Sequence, residues 1–384
     1  GIAFKVAGDY EQSMNLVQAA TSASADDMAA LDELAMQMGA DTVYSANEAA
    51  GAMLELAKSG MTPAQIAAGG LEASLQLAAA GQISLESSAI TTANALNMFN
   101  LEAEDAGMVA DALAGGANAS SASVDSLQQA LAQVGPGAVN AGLSLNDTVG
   151  VLAAFADRGI QGSDAGTSLK TMLQRLVPQT DDAATAMETL GLNFVDANGN
   201  IDDITVVAGK LQSQLGGLSE AERSAALQAI FGSDATRAAS VLMGLGTEET
   251  RKYITATQDR EAAERMAEAA MKGSRGAIEE MMGSLETAAI TIGQSVAPSV
   301  IELSKSVKEI ADRFSELDPE QQQQIVNWLA IAAVAGPALS VLGRGVQTLG
   351  ALMNVTGQAA VQIGKMTDAF PALNTAMAST RSRR

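Results

Sequence analysis

Three stretches of this chain carry residue types that do chemistry elsewhere. The first, Gly159-Ile-Gln-Gly-Ser-Asp-Ala-Gly-Thr167, has the glycines of a phosphate-binding loop. Such a loop needs four residues between its first Gly and a Gly-Lys-Ser/Thr triplet, whose Lys reaches the phosphates. Here Thr167 follows Gly166 and position 161 is Gln, so the spacing fails. A tight turn between packed helices is expected instead, with Thr167 or Ser168 near the next helix start. The second stretch, Asp196-Ala-Asn-Gly-Asn-Ile-Asp202, alternates acids and amides like a calcium loop. That loop needs Gly at its sixth position and a bidentate Glu at its twelfth; these hold Ile201 and Val207. The third is the abundance of carboxylates, among them Glu279-Glu280. A glycosidase would need two at fixed separation across a cleft, and adjacent acids on a helix are more simply a solvated face.

What the chain lacks narrows the chemistry further. It has no His and no Cys. The commonest general base, the commonest transition-metal ligand and all thiolate chemistry are therefore missing. Only Ser or Thr paired with Lys could serve as an activated nucleophile, and no local pattern suggests one. No catalytic, cofactor-binding or metal-binding residue is assigned. The formal net charge of −22 has the wrong sign for neutralising phosphates. Nearby DNA would pass such a surface without being specifically bound.

The elements that would position these residues are predicted to be helices. Apolar residues recur at three and four residue spacings from Tyr10, Met14 and Val17 through Leu31, Leu34 and Met38. Start signals are frequent. Ser24, Thr62-Pro63, Ser84, Ser123, Ser144 and the capping box Ser219-Glu-Ala-Glu222 each precede a periodic run, and Thr42-Val-Tyr-Ser-Ala46 leads into a helix through about Lys58. Gly39, Ser59-Gly60, Gly81, Gly115-Gly116 and Gly135-Pro136-Gly137 are read as stops. Around Asn193–Ile201 two short apolar runs flank strong turn residues, which predicts one small β-hairpin. Beyond Gly217 the helices lengthen and carry more charge, with a kink expected at 273–276 and a break or kink at Pro298. Asp318-Pro319 marks a turn and a new start.

The fold class expected is mainly α: short-to-medium helices with one hairpin near 193–201, then longer helices, then an apolar helical C-terminal segment. The division expected is 1–217, 218–318, 319–370 and a linker or cut end at 371–384. The chain starts at Gly1 and closes on Arg381-Ser-Arg-Arg384, so both ends read as cuts through a longer protein. Ile325–Gly343 runs about 19 residues without a charge, near the length that spans a bilayer. Its candidate membrane-facing residues are Ile325, Trp328, Leu329, Ile331, Val334, Leu339, Val341 and Leu342. Gly336-Pro337 would instead turn it into a buried or oligomeric helical hairpin. Hydrophobic residues make up 47% but aromatics only 3%, so the apolar side chains are small and bury little area each. Partners, in particular other copies of the same chain, are expected to complete the burial.

A set of stretches, in order, resembles the core region of phage tail tape measure proteins. The run Thr42-Val-Tyr-Ser-Ala-Asn-Glu-Ala-Ala50 is similar to that family's Thr-x-(Phe/Tyr)-Ser-Ala-x-Glu-Ala-Ala pattern, carried by Thr42, Tyr44, Ser45, Ala46 and Glu48. Leu56-Ala-Lys-Ser-Gly60, Gly159, Gly162, Gly166 and Thr167 of the Gly-rich stretch, and Ile230-Phe231-Gly232 continue it. Pro319 and Gly336-Pro337 close it. The resemblance implies a structural virion protein that lies in the tail tube lumen and sets tail length. It implies release at infection to help DNA cross the host cell envelope, and partners among tail tube and tail tip proteins and the host membrane. It brings no catalytic residues and no cofactor. Two other classes remain open: a membrane-inserting pore or translocation protein acting without a tail, and a non-catalytic segment of a cell-wall hydrolase.

Overall fold

The computed structural model describes residues 2–272, 274–316, 318–320 and 322–323. The first helices are α1 (Ile2–Thr21), α2 (Ala25–Asp41), α3 (Ala46–Lys58) and the short α4 (Pro63–Gln65). A π turn at Ile66–Gly70 leads into α5 (Leu71–Gly81) and α6 (Leu85–Met98). After a 3-10 turn at Ala103–Asp105 come α7 (Ala106–Asn118), α8 (Val124–Asn140), α9 (Leu145–Ala156) and α10 (Gly162–Gln174). Then follow α11 (Asp181–Thr189), α12 (Ile204–Leu215), α13 (Glu220–Ala256), α14 (Ala262–Met271) and α15 (Ser274–Ser315). The chain divides into two units, Gly1–Gly293 and Gln294–Arg384.

Local sequence sets most helix starts. Ser24, Ser45, Thr62, Ser144 and Ser219 each accept a bond from the backbone N–H three residues on, while the side chain at that third position accepts from the cap's own N–H. Each such reciprocal pair satisfies two N–H groups that the helix cannot. Ser84, Ser123 and Thr180 cap with the side chain alone.

The first unit buries small residues. Ala46, Ala49, Ala50, Ala110, Ala114, Ala153, Ala238 and Ala239 are fully buried among larger anchors such as Met53, Leu56, Phe155 and Phe231. Within it α8 packs on α10, α13 on α9, α10 and α12, α3 on α1 and α6, and α14 on α5 and α7.

Several sequence expectations need correction. No strand forms among the described residues, and the predicted hairpin reduces to one antiparallel bridge between Val195 and Ile201. The five residues between them form a loop held by a side chain. The Asp196 carboxylate accepts from the N–H groups of Asn198 and Asn200 at 2.8 and 2.9 Å. Nor can the arms extend, because Phe194 is drawn into the core and Asp203 already caps α12.

Two predicted stops lie inside helices. Helix α7 runs through Gly115-Gly116, and α8 runs through Gly135-Pro136-Gly137 to end at Asn140. These glycines let neighbours approach. A Cβ on Gly115 would collide with the carbonyl oxygen of Ala256, and one on Gly135 with the sulfur of Met98. Likewise Gly39 is not a cap: α2 continues to Asp41 and is capped by Thr42, while Gly39 sits against Ala46. Helix α15 continues through Pro298. The ring costs one backbone hydrogen bond, and at this exposed position water can satisfy the freed carbonyl.

No helix among the described residues is long and apolar enough to cross a membrane. The candidate membrane stretch 325–343, the Gly336-Pro337 turn and the rest of the apolar C-terminal segment lie outside the described residues.

Candidate functional site

The sequence motifs meet at helix junctions. At the α2–α3 turn, the Thr42 hydroxyl donates to the Met38 carbonyl at 2.7 Å and accepts from the Tyr44 N–H at 3.1 Å. Ser45 then caps α3: its N–H donates to Glu48 Oε2 at 2.8 Å, and its hydroxyl accepts from the Glu48 N–H at 3.3 Å. Ala46 is fully buried directly behind the cap. Four of the five motif residues therefore build one turn, and the fifth fills the space beneath it.

This turn is the seat of α15. Asn47 donates from Nδ2 to Glu286 Oε1 at 2.7 Å, and Ser284 donates to the Ala40 carbonyl at 3.3 Å. A Cβ on Gly283 would stand 3.0 Å from the Tyr44 carbonyl oxygen, so the helix backbone lies close against the turn. Thr287 and Ile290 are buried on the same side. Burial first, then the carboxylates of Glu48 and Glu279, push the Tyr44 phenol well above its ordinary range. Sequence reasoning missed this docking, because the partners lie some 239 positions apart.

The Gly-rich stretch builds a second junction. Gly159, with φ +78°, turns the chain out of α9. Gly162 donates its N–H to Ser126 Oγ at 2.9 Å and so ties the start of α10 to α8. Gly166 lies at the crossing itself: its Cβ would collide with the Ala130 carbonyl and stand 2.8 Å from Gln133 Cβ. Thr167 is exposed, and its carbonyl accepts from the Thr171 hydroxyl at 2.9 Å.

Phe231 and Gly232 form the third. Phe231 is fully buried with its ring centroid 6.3 Å from that of Phe194. Gly232, at φ +64° and ψ 178°, breaks the helical path inside α13 in a conformation open to Gly but strained for other residues. A Cβ there would also meet the Arg175 guanidinium at 2.7 Å.

Gly60, at φ +97°, ends α3. It lines a recess with Met61, Gln65, Asn97 and Glu102. At about 120 Å³ the recess is smaller than the roughly 300 Å³ at which small-molecule sites begin. Pro319 opens a helical turn after Asp318, whose carboxylate accepts from the Glu320 N–H at 3.1 Å.

The charged groups serve the packing in the same way. Asp111 of α7 accepts from the N–H of Ala263 at 3.0 Å and caps α14 from outside. Burial raises its pKa, against the pull of that N–H. Tyr253 donates to Asp157 at 2.7 Å, which pushes the phenol up to about 12. Among the described residues no three acids gather as a metal site. The residues of the Thr42–Glu48, Gly159–Thr167 and Phe231-Gly232 motifs form three separate junctions, each a place where backbones touch or turn, while Gly60 and Pro319 stand apart from them and Gly336-Pro337 lie outside the described residues.

Comparison with known proteins fits this architecture. Residues 32–232, just over half the chain, match the family described as phage-related minor tail protein. The chain is 31% identical to the tape measure protein of Pneumococcus phage Dp-1 over 346 residues, covering 90% of this chain and 30% of that protein. It is 32% identical to the probable tape measure protein of Escherichia phage P2 over 239 residues, covering 61% of this chain and 29% of that protein. The chain thus spans less than a third of the length of these curated relatives. No solved structure matches it. The matched span contains the α2–α3 turn, the α8–α10 crossing and the Phe231-Gly232 break, and the chain belongs to the phage-related minor tail protein family.

Proposed function

We propose that this chain is the core region of a tape measure protein, a structural and non-catalytic part of the phage tail. In this reading the parent protein occupies the tube lumen as several copies side by side and contacts tube and tip proteins. It fixes tail length during assembly and leaves at infection to help the genome across the envelope. The observation that carries it is the relationship to a tape measure protein over 90% of the chain. Junctions at which backbones touch or turn accord with it. The net charge of −22 would keep the surface from holding DNA.

The test is tail length in the parent phage. Each helical residue removed from or added to the parent gene, outside the folded unit, should change the tail by about 1.5 Å per residue in electron micrographs. Tails of unchanged length would overturn the length-setting role.

The charge-free stretch 325–343 supports a membrane step at release. The protein should then release a dye from liposomes, and this should be abolished by Leu329→Asp with Val334→Asp. Intact liposomes would remove the step.

A further inference from the structure

Most helices of the first unit carry their own start signal, and α14 does not. Glu261 stands at its cap position, and no side-chain capping bond forms there. The bond comes from Asp111 of α7, 152 positions away, which accepts from the Ala263 N–H at 3.0 Å. Helix α10 also borrows a cap, from Ser126, but α10 buries Leu169, Met172 and Leu173. The buried residues of α14 are Ala262, Ala263 and Ala267. Each alanine removes far less apolar surface from water than a leucine does. At 10 residues α14 is also shorter than the roughly 12–15 at which an isolated helix becomes marginal in water. Its helical form and its seat on α5 and α7 therefore arise together.

The chain on either side is held more firmly. Thr257 is buried; its hydroxyl donates to the Ile254 carbonyl at 2.7 Å, and its carbonyl accepts from Asn146 Nδ2 at 3.1 Å. Beyond α14, Gly283 lies against the Tyr44 carbonyl and Thr287 against Gly39. Helix α14 is thus the weakest stretch between two anchored points. We propose that α14 is a conditional helix, a buckle between the frame and α15 that the Asp111 carboxylate closes. Closed, its 10 residues cover about 15 Å. Open, the run 258–272 reaches up to about 50 Å as extended chain. That slack lets α15 lift from the α2–α3 turn while the frame stays packed. Losing one bond uncaps α14 and leaves the self-capped helices as they are.

The chain has no native Cys, so single cysteines report opening without background. Ala267→Cys on α14 and Ala239→Cys on α13, both buried, are compared in the full chain by their rates of labelling with a soluble thiol reagent. The 267 thiol should label about tenfold faster than the 239 thiol, because local opening reaches it without global unfolding. Adding Asp111→Ala should raise the 267 rate about tenfold further, as loss of a hydrogen bond to a charged group implies, with 239 unchanged. A thiol at Thr287→Cys, buried in the seat of α15, should rise in step. Asp111→Asn, which keeps the shape and loses the charge, should fall between, and it decides the matter if the Ala variant loosens 239 as well. Equal labelling at 267 and 239, a 267 rate indifferent to both substitutions at 111, or a 287 rate that does not follow 267 would overturn the buckle. So would a rise at 239 in the Asn variant.

Discussion

The crossing of α8 with α10 and the seating of α15 on the α2–α3 turn both use glycine, with opposite results. At the crossing, Gly166 brings two backbones into touch while Leu169, Met172 and Leu131 close the space around it. On α15, Gly283 brings the helix down on the turn and Ile290 is buried, yet Ile278, Met282, Leu285 and Ile292 stand exposed. Small residues serve the inside in one case. In the other they free the large residues for the outside. The composition, rich in small apolar residues and poor in aromatics, therefore describes two designs: a frame that closes on itself, and a helix that keeps its anchors in reserve.

The comparison can be broken at several points. The largest effect is expected from Phe231→Ala, which removes a fully buried ring and its Phe194 partner contact. It should cost about 3–5 kcal/mol in denaturant unfolding. Gly166→Ala should cost about 1–3 kcal/mol by overpacking the crossing; an unchanged midpoint would show that α8 and α10 can separate freely. Ser45→Ala removes one half of the capping box under α15 and should cost about 1 kcal/mol. Its hydrogen exchange should rise at the start of α3 and near 283–290, and not at the α8–α10 crossing. Gly8→Ala is the control. It sits in α1 with no atom within 4 Å of its Cβ, so it should stabilise by about 0.5–1 kcal/mol. If Gly8→Ala destabilised as much as Gly166→Ala, close approach would not be what distinguishes the two glycines.

Helix starts were legible in the sequence because their signals are complete within four residues. Ser24 with Asp27, Ser144 with Asp147 and Ser219 with Glu222 specify their own ends. Glycine was less legible. Gly115 and Gly135 read as stops, since nothing local distinguishes a turn from a crossing; the deciding atoms belong to Ala256 and Met98. The hairpin failed for a related reason. Turn residues around Asn198-Gly199 were recognised, but the Asp196 carboxylate that closes the loop replaces strand pairing. The grouping of the Thr42–Glu48, Gly159–Thr167 and Phe231-Gly232 motifs into three junctions depends on tertiary neighbours. The α15 docking through Asn47 and Glu286 left no local trace.

The reciprocal caps have a mechanical consequence. A helix whose first turn is closed by its own residues does not need its neighbours to know where to begin. If the frame were pulled apart to pass a narrow conduit, the crossings at Gly115, Gly135 and Gly166 would be lost first, while Ser45-Glu48, Thr62-Gln65 and Ser144-Asp147 would still mark where each rod starts. The chain would travel as a string of prefabricated segments, and what has to be rebuilt on the far side is their arrangement.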